Sequence, residues 1–178
     1  MNKTRHFALG ALLLGACGLS AAAPLTLNEA RQLAGAAARS CAADGREIAV
    51  AVLDAGAQPL LLQRGASVGP HNLEAARRKA YTALSTKSST LALGRSARSN
   101  PDTVNLAQLP ELLLLGGGLP LWREGALVGA VAVAGGGGPE RDEACALAAL
   151  KAGGFSGSAS ERPERQPPFS SNHKEPSP

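Results

Sequence analysis

Two segments of the chain, residues 48–53 and 127–134, contain no polar side chain and are bounded by turn-forming residues. Successive side chains of a strand point to opposite faces of its sheet, so strands of this kind need both faces covered. In each segment one face carries branched residues and the other mainly alanine. Because three or four short helices would not obviously cover both faces, the pattern also predicts that subunits associate into a homo-oligomer.

The order of the predicted elements indicates an α+β domain. Thr26 and Glu29 have the spacing of a capping box, which predicts a helix running to about Cys41. Further helices are predicted over residues 72–86 and 139–152, with short helical pieces and loop over 87–110. Strands are predicted over residues 48–53, 59–63, 111–115, 119–123 and 126–134. This order favours a mostly antiparallel five-stranded sheet with flanking helices.

Composition argues against nucleic acid as a partner. The chain has only five aromatic residues, one of them tryptophan and one tyrosine. Stacking on single-stranded nucleic acid requires aromatic platforms. The formal net charge is +4, but the basic residues are not concentrated on any one element. We therefore expect no nucleic-acid binding.

Residues 1–22 have the pattern of a secretory signal peptide. Lys3 and Arg5 precede an apolar run over 7–14, and small residues follow, with cleavage expected after Ala22. The apolar run is shorter than the 20 or so residues that cross a bilayer, so no integral membrane span is expected. Residues 14–17 also resemble a lipobox, which would instead make Cys17 a lipid-anchored first residue. Either leader predicts a periplasmic or secreted protein.

The remaining chain divides into a core and a tail. Residues 24–153 carry nearly all the periodic structure. The tail, residues 154–178, contains five prolines and six serines and has no apolar periodicity. Such a segment cannot bury enough surface to offset its chain entropy, so we expect it to be disordered.

The exported core contains two cysteines, Cys41 and Cys145. An even number of cysteines in an oxidising compartment is consistent with a disulfide. The alternative is two small buried residues that never meet. Their sequence spacing alone does not decide between these possibilities.

Side chains suited to catalysis are sparse in the core. Zinc sites need about four nearby ligands, whereas the core offers His71 and two distant cysteines. A Ser-His-Asp triad would have to use the same His71, the single histidine of the core. Glycine runs at residues 116–118 and 135–138 lack the Gly-Lys-Ser/Thr ending of a phosphate loop and are interpreted as turns. A binding protein is therefore favoured over an enzyme.

The densest basic cluster is formed by Arg77, Arg78 and Lys79, within the second predicted helix. Successive helical residues point about 100° apart, so these three cannot form one flat patch. They are either a solvated helix face or contacts to a ligand carboxylate or a neighbouring subunit. His71, just before this helix, is the leading axial-ligand candidate for a haem iron, with a merely solvated histidine as the alternative.

Several segments together resemble the GlcG/HbpS-like haem-binding family. They follow in order along residues 25–152: 50–56 (VAVLDAG), 72–83 (NLEAARRKAYTA), 117–121 (GGLPL), 125–136 (GALVGAVAVAGG) and 142–146 (DEACA). The resemblance is carried by their number and order, since each motif alone is weak. The sequence departs from the commoner family pattern at Ala132 and Ala134, where a glycine and a serine are usual.

The resemblance implies a profilin-like α+β sandwich that assembles as dimers or octamers, and it implies haem or related tetrapyrrole binding in some members. His71 or Tyr81 would then be the axial donor, and Arg77, Arg78 or Lys79 would neutralise a propionate. In a profilin-like fold the first and last helices are neighbours on one sheet face. This arrangement implies an intrachain disulfide between Cys41 and Cys145.

We therefore expect an exported haem-binding protein that acts as a carrier or sensor accessory. Other members of the resembled family occur with glycolate metabolism or corrinoid enzymes, so one alternative is a small enzyme or helper acting on a carboxylate or corrinoid. Another is an oligomeric module whose sheet face binds a partner protein. The predicted leader favours the first function, because intracellular metabolite enzymes need no export signal.

Overall fold

The computed structural model describes residues 22–159. The predicted signal peptide up to residue 21, the alternative lipidation site at Cys17, and the predicted tail from residue 160 lie outside the described residues. The helices are α1 (Leu27–Ala42), α2 (His71–Thr86), α3 (Thr90–Ser99), α4 (Pro101–Val104) and α5 (Pro139–Ala152), with a 3₁₀ turn at Asn105–Gln108. The strands are β1 (Ala49–Asp54), β2 (Pro59–Arg64), β3 (Gly118–Arg123) and β4 (Ala126–Ala134).

The α+β class is confirmed, and the sheet is antiparallel with the strand order β2-β1-β4-β3. The two segments without polar side chains form most of β1 and β4, which are its central strands. The capping box at the start of α1 is also present, with the Glu29 amide donating to the Thr26 hydroxyl. None of the helices within residues 22–159 is long and apolar enough to cross a membrane.

The predicted fifth strand at residues 111–115 is wrong, because this segment forms no ladder with the sheet. Side chains of α2 satisfy its backbone instead. The Arg78 guanidinium donates to the carbonyls of Pro110 and Leu112, at 2.6 and 2.8 Å. The Leu113 amide donates to the Thr82 hydroxyl at 2.8 Å. An apolar run alone does not distinguish such a helix-held segment from a strand.

The two faces of the sheet are covered as their side chains predict. The branched face of β1 and β4, including Val50, Val52, Val131 and Val133, packs in one core beneath α1 and α5. The alanine face packs beneath α2. Alanine allows close approach of the helix backbone, and at Gly118 an added Cβ would lie 2.5 Å from the Lys79 carbonyl oxygen. The small side chains therefore determine how near α2 lies to the sheet.

The central strands are buried within a single chain, so the argument for an oligomer from uncovered faces no longer holds. From Ala49 to Leu53 every residue is at most 1% exposed. The larger apolar side chains that stay exposed lie elsewhere: Leu27, Leu62, Val104, Leu109, Leu115 and Leu147.

The packed chain extends beyond the predicted boundary at residue 153. Phe155 is buried beside the α1–α5 core, and the Arg123 guanidinium lies 4.9 Å from the centre of its ring. Ser156 pairs with Trp122 of β3 through two backbone hydrogen bonds. The prediction that disorder begins at Gly154 is thus wrong for residues 154–156. One buried aromatic residue and one strand bridge attach them to the domain.

Candidate functional site

Helix α2 presents the predicted ligand-binding residues in several directions. Its inward stripe, Ala76, Ala80 and Ala83, is fully buried against the sheet. His71 is exposed at the first turn and its imidazole makes no hydrogen bond within residues 22–159. Tyr81 is half-buried and lies ten residues further along, about 15 Å along the helix axis. The two side chains are therefore alternative donors to one iron and cannot both bind it.

Arg77 is a partly exposed residue of this helix, one turn before Tyr81. Its guanidinium forms a two-point contact with the Glu74 carboxylate, at 2.7 and 2.8 Å. This contact lowers the pKa of Glu74 and raises that of Arg77. Because an exposed ion pair contributes little to stability, Arg77 is able to exchange Glu74 for a ligand carboxylate.

Arg78 is not part of a solvated helix face, which was one of the alternatives that the sequence left open. It holds the carbonyl groups of residues 110 and 112, which fixes the segment that connects the 3₁₀ turn with β3. Both bonds come from Nη2, and the Nε of Arg78 is buried without a partner in the described chain. Arg78 is therefore a structural residue at this position.

The prediction that Lys79 neutralises a propionate is wrong, because its side chain points into the protein and is 1% exposed. Its ammonium donates to the Asp142 carboxylate at 2.7 Å and to the Val133 carbonyl at 3.0 Å. Burial lowers the pKa of Lys79, while the carboxylates of Asp142 and Glu143 oppose this effect. A ligand would have to break a buried ion pair to recruit this lysine.

Sequence reasoning missed the network that surrounds Lys79. Asp142 also accepts from the Gly136 amide at 2.7 Å, and Glu143 accepts from the Gly117 amide at 2.9 Å and from the Ser89 hydroxyl. The start of α5 thereby holds both glycine-rich turns. The available signal in the sequence is the pair of adjacent carboxylates that follows the glycine run at residues 135–138.

The structure joins Cys41 and Cys145 in a disulfide with an S–S distance of 2.04 Å. Their Cα atoms are 5.7 Å apart although 104 positions separate them in sequence, and this distance is typical of disulfides. The pair links α1 to α5, which pack side by side on the branched face of the sheet. Both cysteines are buried.

A small polar cavity of about 190 Å³ lies at the start of α2 and is lined by residues 45–47, 67–69, Asn72 and Gly135. His71 lies beside the wall of this cavity, since a Cβ added to the lining residue Gly69 would be 3.2 Å from Cε1 of His71. The cavity is smaller than the roughly 300–1,000 Å³ of typical cofactor sites. A haem bound by His71 would therefore lie over the surface of the domain rather than inside this cavity.

The side chains present fit haem better than a free metal ion. Within residues 22–159 there is no group of three or more histidine, cysteine, aspartate or glutamate side chains that could hold a metal. Haem iron is already bound by four ring nitrogens, so the protein need supply only an axial donor. His71 is chemically suited to that role and Arg77 to a propionate.

Comparison with known proteins places the domain in a family. The model of the family described as "Haem degrading protein HbpS-like" matches residues 25–151. A crystal structure of HbpS is 36% identical, with a TM-score of 0.66 over 74% of this chain and 92% of that one. A glutamate-to-aspartate double mutant of Streptomyces reticuli HbpS is 33% identical, with a TM-score of 0.67 over 80% and 96% of the two chains.

A structure described as a PduOC:heme complex is 25% identical, with a TM-score of 0.70 over 76% of this chain and 99% of that one. A search of curated proteins finds no match. The family match spans most of the chain, and the HbpS structure shares more than a third of its aligned residues. The chain therefore belongs to the HbpS-like haem-degrading protein family.

Proposed function

We propose that this protein is an exported haem-binding protein that acts as a carrier or sensor accessory. The observation that carries the proposal is membership of the HbpS-like family across residues 25–151. The similar fold of PduOC, whose structure is described as a heme complex, supports haem as the ligand.

In this proposal His71 supplies the axial donor and Arg77 neutralises a propionate. His71 is exposed and free of internal hydrogen bonds within the described chain, so binding iron would break no hydrogen bond of the imidazole. Tyr81 is the alternative donor. When bound, haem would supply an iron centre for redox chemistry or for binding small molecules. The protein's own part is to orient the haem and set its axial ligand.

Haemin titration of the purified mature protein tests this function. We expect a saturable Soret shift at micromolar haemin, together with quenching of the chain's one tryptophan, Trp122. His71→Ala should change the spectrum of the complex, because it removes the iron donor, whereas Tyr81→Phe should leave the spectrum unchanged.

Two results would count against this proposal at different levels. A wild-type protein without a saturable Soret shift would contradict haem binding itself. A His71→Ala spectrum identical to wild type, combined with a changed Tyr81→Phe spectrum, would instead move the axial donor to Tyr81.

Haem degradation is a second candidate function, favoured by the description of the matching family. Breaking the porphyrin ring requires oxygen and a reductant. The loaded protein should then lose its Soret band when ascorbate is added in air and keep it under nitrogen. A band that persists in air would favour a carrier or sensor role over an enzyme.

We propose export to the periplasm or beyond, supported by the leader pattern of residues 1–22 and by the disulfide between Cys41 and Cys145. Expression of the full chain in a bacterium with a Sec pathway should yield a periplasmic form whose intact mass corresponds to cleavage after Ala22. A lipid-modified mass beginning at Cys17 would establish the lipoprotein alternative, and an uncleaved cytoplasmic chain would contradict export.

We also propose that the chain forms a homo-oligomer, a dimer or octamer. The support within the described residues is a set of exposed apolar side chains in the stretch 104–115, namely Val104, Leu109 and Leu115. Light scattering of the mature protein measures the assembly directly, and a monomer at micromolar concentration would contradict it.

A further inference from the structure

The polar cavity beside His71 has the size of a site for one functional group. At about 190 Å³ it exceeds the volume of a few waters, which take about 30 Å³ each in the liquid. It is below the roughly 300–1,000 Å³ of sites that enclose a whole small molecule. A carboxylate with its hydration fits these limits.

The cavity wall contains a cation without a partner. The guanidinium of Arg46 forms no ion pair or hydrogen bond with any residue in the described part of the chain, and only its backbone amide is bonded, to the Cys41 carbonyl. A second arginine lies close by, since a Cβ added to Gly137 would be 3.8 Å from Nε of Arg46 and 3.3 Å from Cδ of Arg141. Arg141 reaches Asp44 only at 3.8 Å. The side of the cavity next to the 135–138 turn is therefore positively charged.

The negative side chain of the wall already has hydrogen-bond partners. The Glu47 carboxylate accepts hydrogen bonds from the amide of Ser67, at 2.7 Å, and from its hydroxyl. These bonds, with help from the nearby charge of Arg64, lower the pKa of Glu47. The Glu47 carboxylate is thus bonded to Ser67 and not to Arg46, whose guanidinium is left for an external anion.

A neutral donor completes the wall. One N–H of the Asn72 side-chain amide donates to the Gly69 carbonyl at 3.2 Å. The amide group has two N–H donors, so one remains for a ligand. Gly69 and Asn72 both line the cavity, and Gly69 lies next to His71, since a Cβ added to it would be 3.2 Å from Cε1 of the ring.

We propose that this cavity binds a carboxylate group, held by the guanidinium of Arg46 and the second N–H of Asn72. The identity of the carboxylate rests on the proposed function: it is a propionate of a haem whose iron is bound by His71. A free small carboxylic acid has the same chemistry and is the other source. Arg46 was not among the residues that the sequence singled out, because an isolated arginine in a loop carries no pattern.

Titration of the ¹⁵N-labelled, disulfide-bonded mature protein with sodium propionate tests the cavity without haem. Saturable shifts are expected at the backbone amides of Gly69, Asn72 and Gly135, and Arg46→Gln should abolish them. Arg31→Gln, which removes an exposed arginine of α1, is the matched control and should retain them. Wild-type amides that do not shift saturably, or shifts that persist in Arg46→Gln, would overturn the proposal.

Haemin and its dimethyl ester, which lacks free carboxylates, then identify the source of the carboxylate. Arg46→Gln should weaken haemin binding by roughly tenfold, as expected for a charge-assisted hydrogen bond, and leave binding of the ester unchanged. If Arg46→Gln weakens neither, the propionate assignment is overturned and a free acid is the ligand. If wild type binds no haemin, the proposed function fails, while the propionate titration still decides whether the cavity binds carboxylate.

Discussion

Lys79→Met is expected to lower the free energy of unfolding by about 3–5 kcal/mol, the usual cost of breaking a buried ion pair by removing one partner. The substitution keeps the volume of the side chain but leaves the Asp142 carboxylate, which is 4% exposed, without its cation. Urea denaturation of the oxidised protein, followed by circular dichroism, measures the change.

Two further variants separate loss of charge from loss of packing. Combining Lys79→Met with Asp142→Asn should recover much of the lost stability, because the amide oxygen can still accept from the Gly136 amide without a buried charge. Lys87→Met alters an exposed lysine just after α2 and should change stability by less than about 0.5 kcal/mol. A Lys79→Met protein as stable as wild type would disprove the structural role of the pair.

Replacing both cysteines by alanine is expected to lower the free energy of unfolding by about 4–5 kcal/mol. In the chain-entropy model a disulfide that closes a loop of about 100 residues contributes about 4.7 kcal/mol, because it restricts the unfolded chain. The Cys41–Cys145 bond spans 104 positions, and the first and last helices are held together by it. Equilibrium denaturation of the oxidised protein and the double variant gives the difference.

The wild-type protein under reducing conditions is the control for this measurement. Once both thiols are free, its unfolding midpoint should approach that of the double variant, because neither chain is cross-linked. Thiol quantification of the mature, non-reduced protein should find no free cysteine. Two free thiols after export into an oxidising compartment would contradict the bond.

Local pattern predicted most of the elements, because their signals lie within a few residues of one another. Strand β4 has the bounds 126–134 that its apolar run predicts, and α1 begins at the Thr26–Glu29 capping box. The segment at 111–115 was misassigned because its backbone partners, Arg78 and Thr82, lie about 30 positions away. No local pattern records hydrogen bonds at that separation.

The candidate site was less predictable than the fold. Arg77, Arg78 and Lys79 are adjacent in sequence, yet one is at the surface, one anchors a loop and one is buried. Helical geometry predicts that they diverge, but which of them meets solvent depends on what packs against each side. Arg46 lies near His71 only because the segments 45–47 and 67–69 line the same cavity.

The sequence by itself determined the covered sheet, the helix starts and the family, because these depend on side-chain alternation, capping residues and ordered motifs. Only the tertiary structure decided which charged groups are buried and which partner each of them has. Whether a lysine is a ligand or the partner of a buried carboxylate depends on contacts across 63 positions, as between Lys79 and Asp142. Burial and electrostatic pairing are set by the three-dimensional surroundings of a side chain, and the same residue type takes either role.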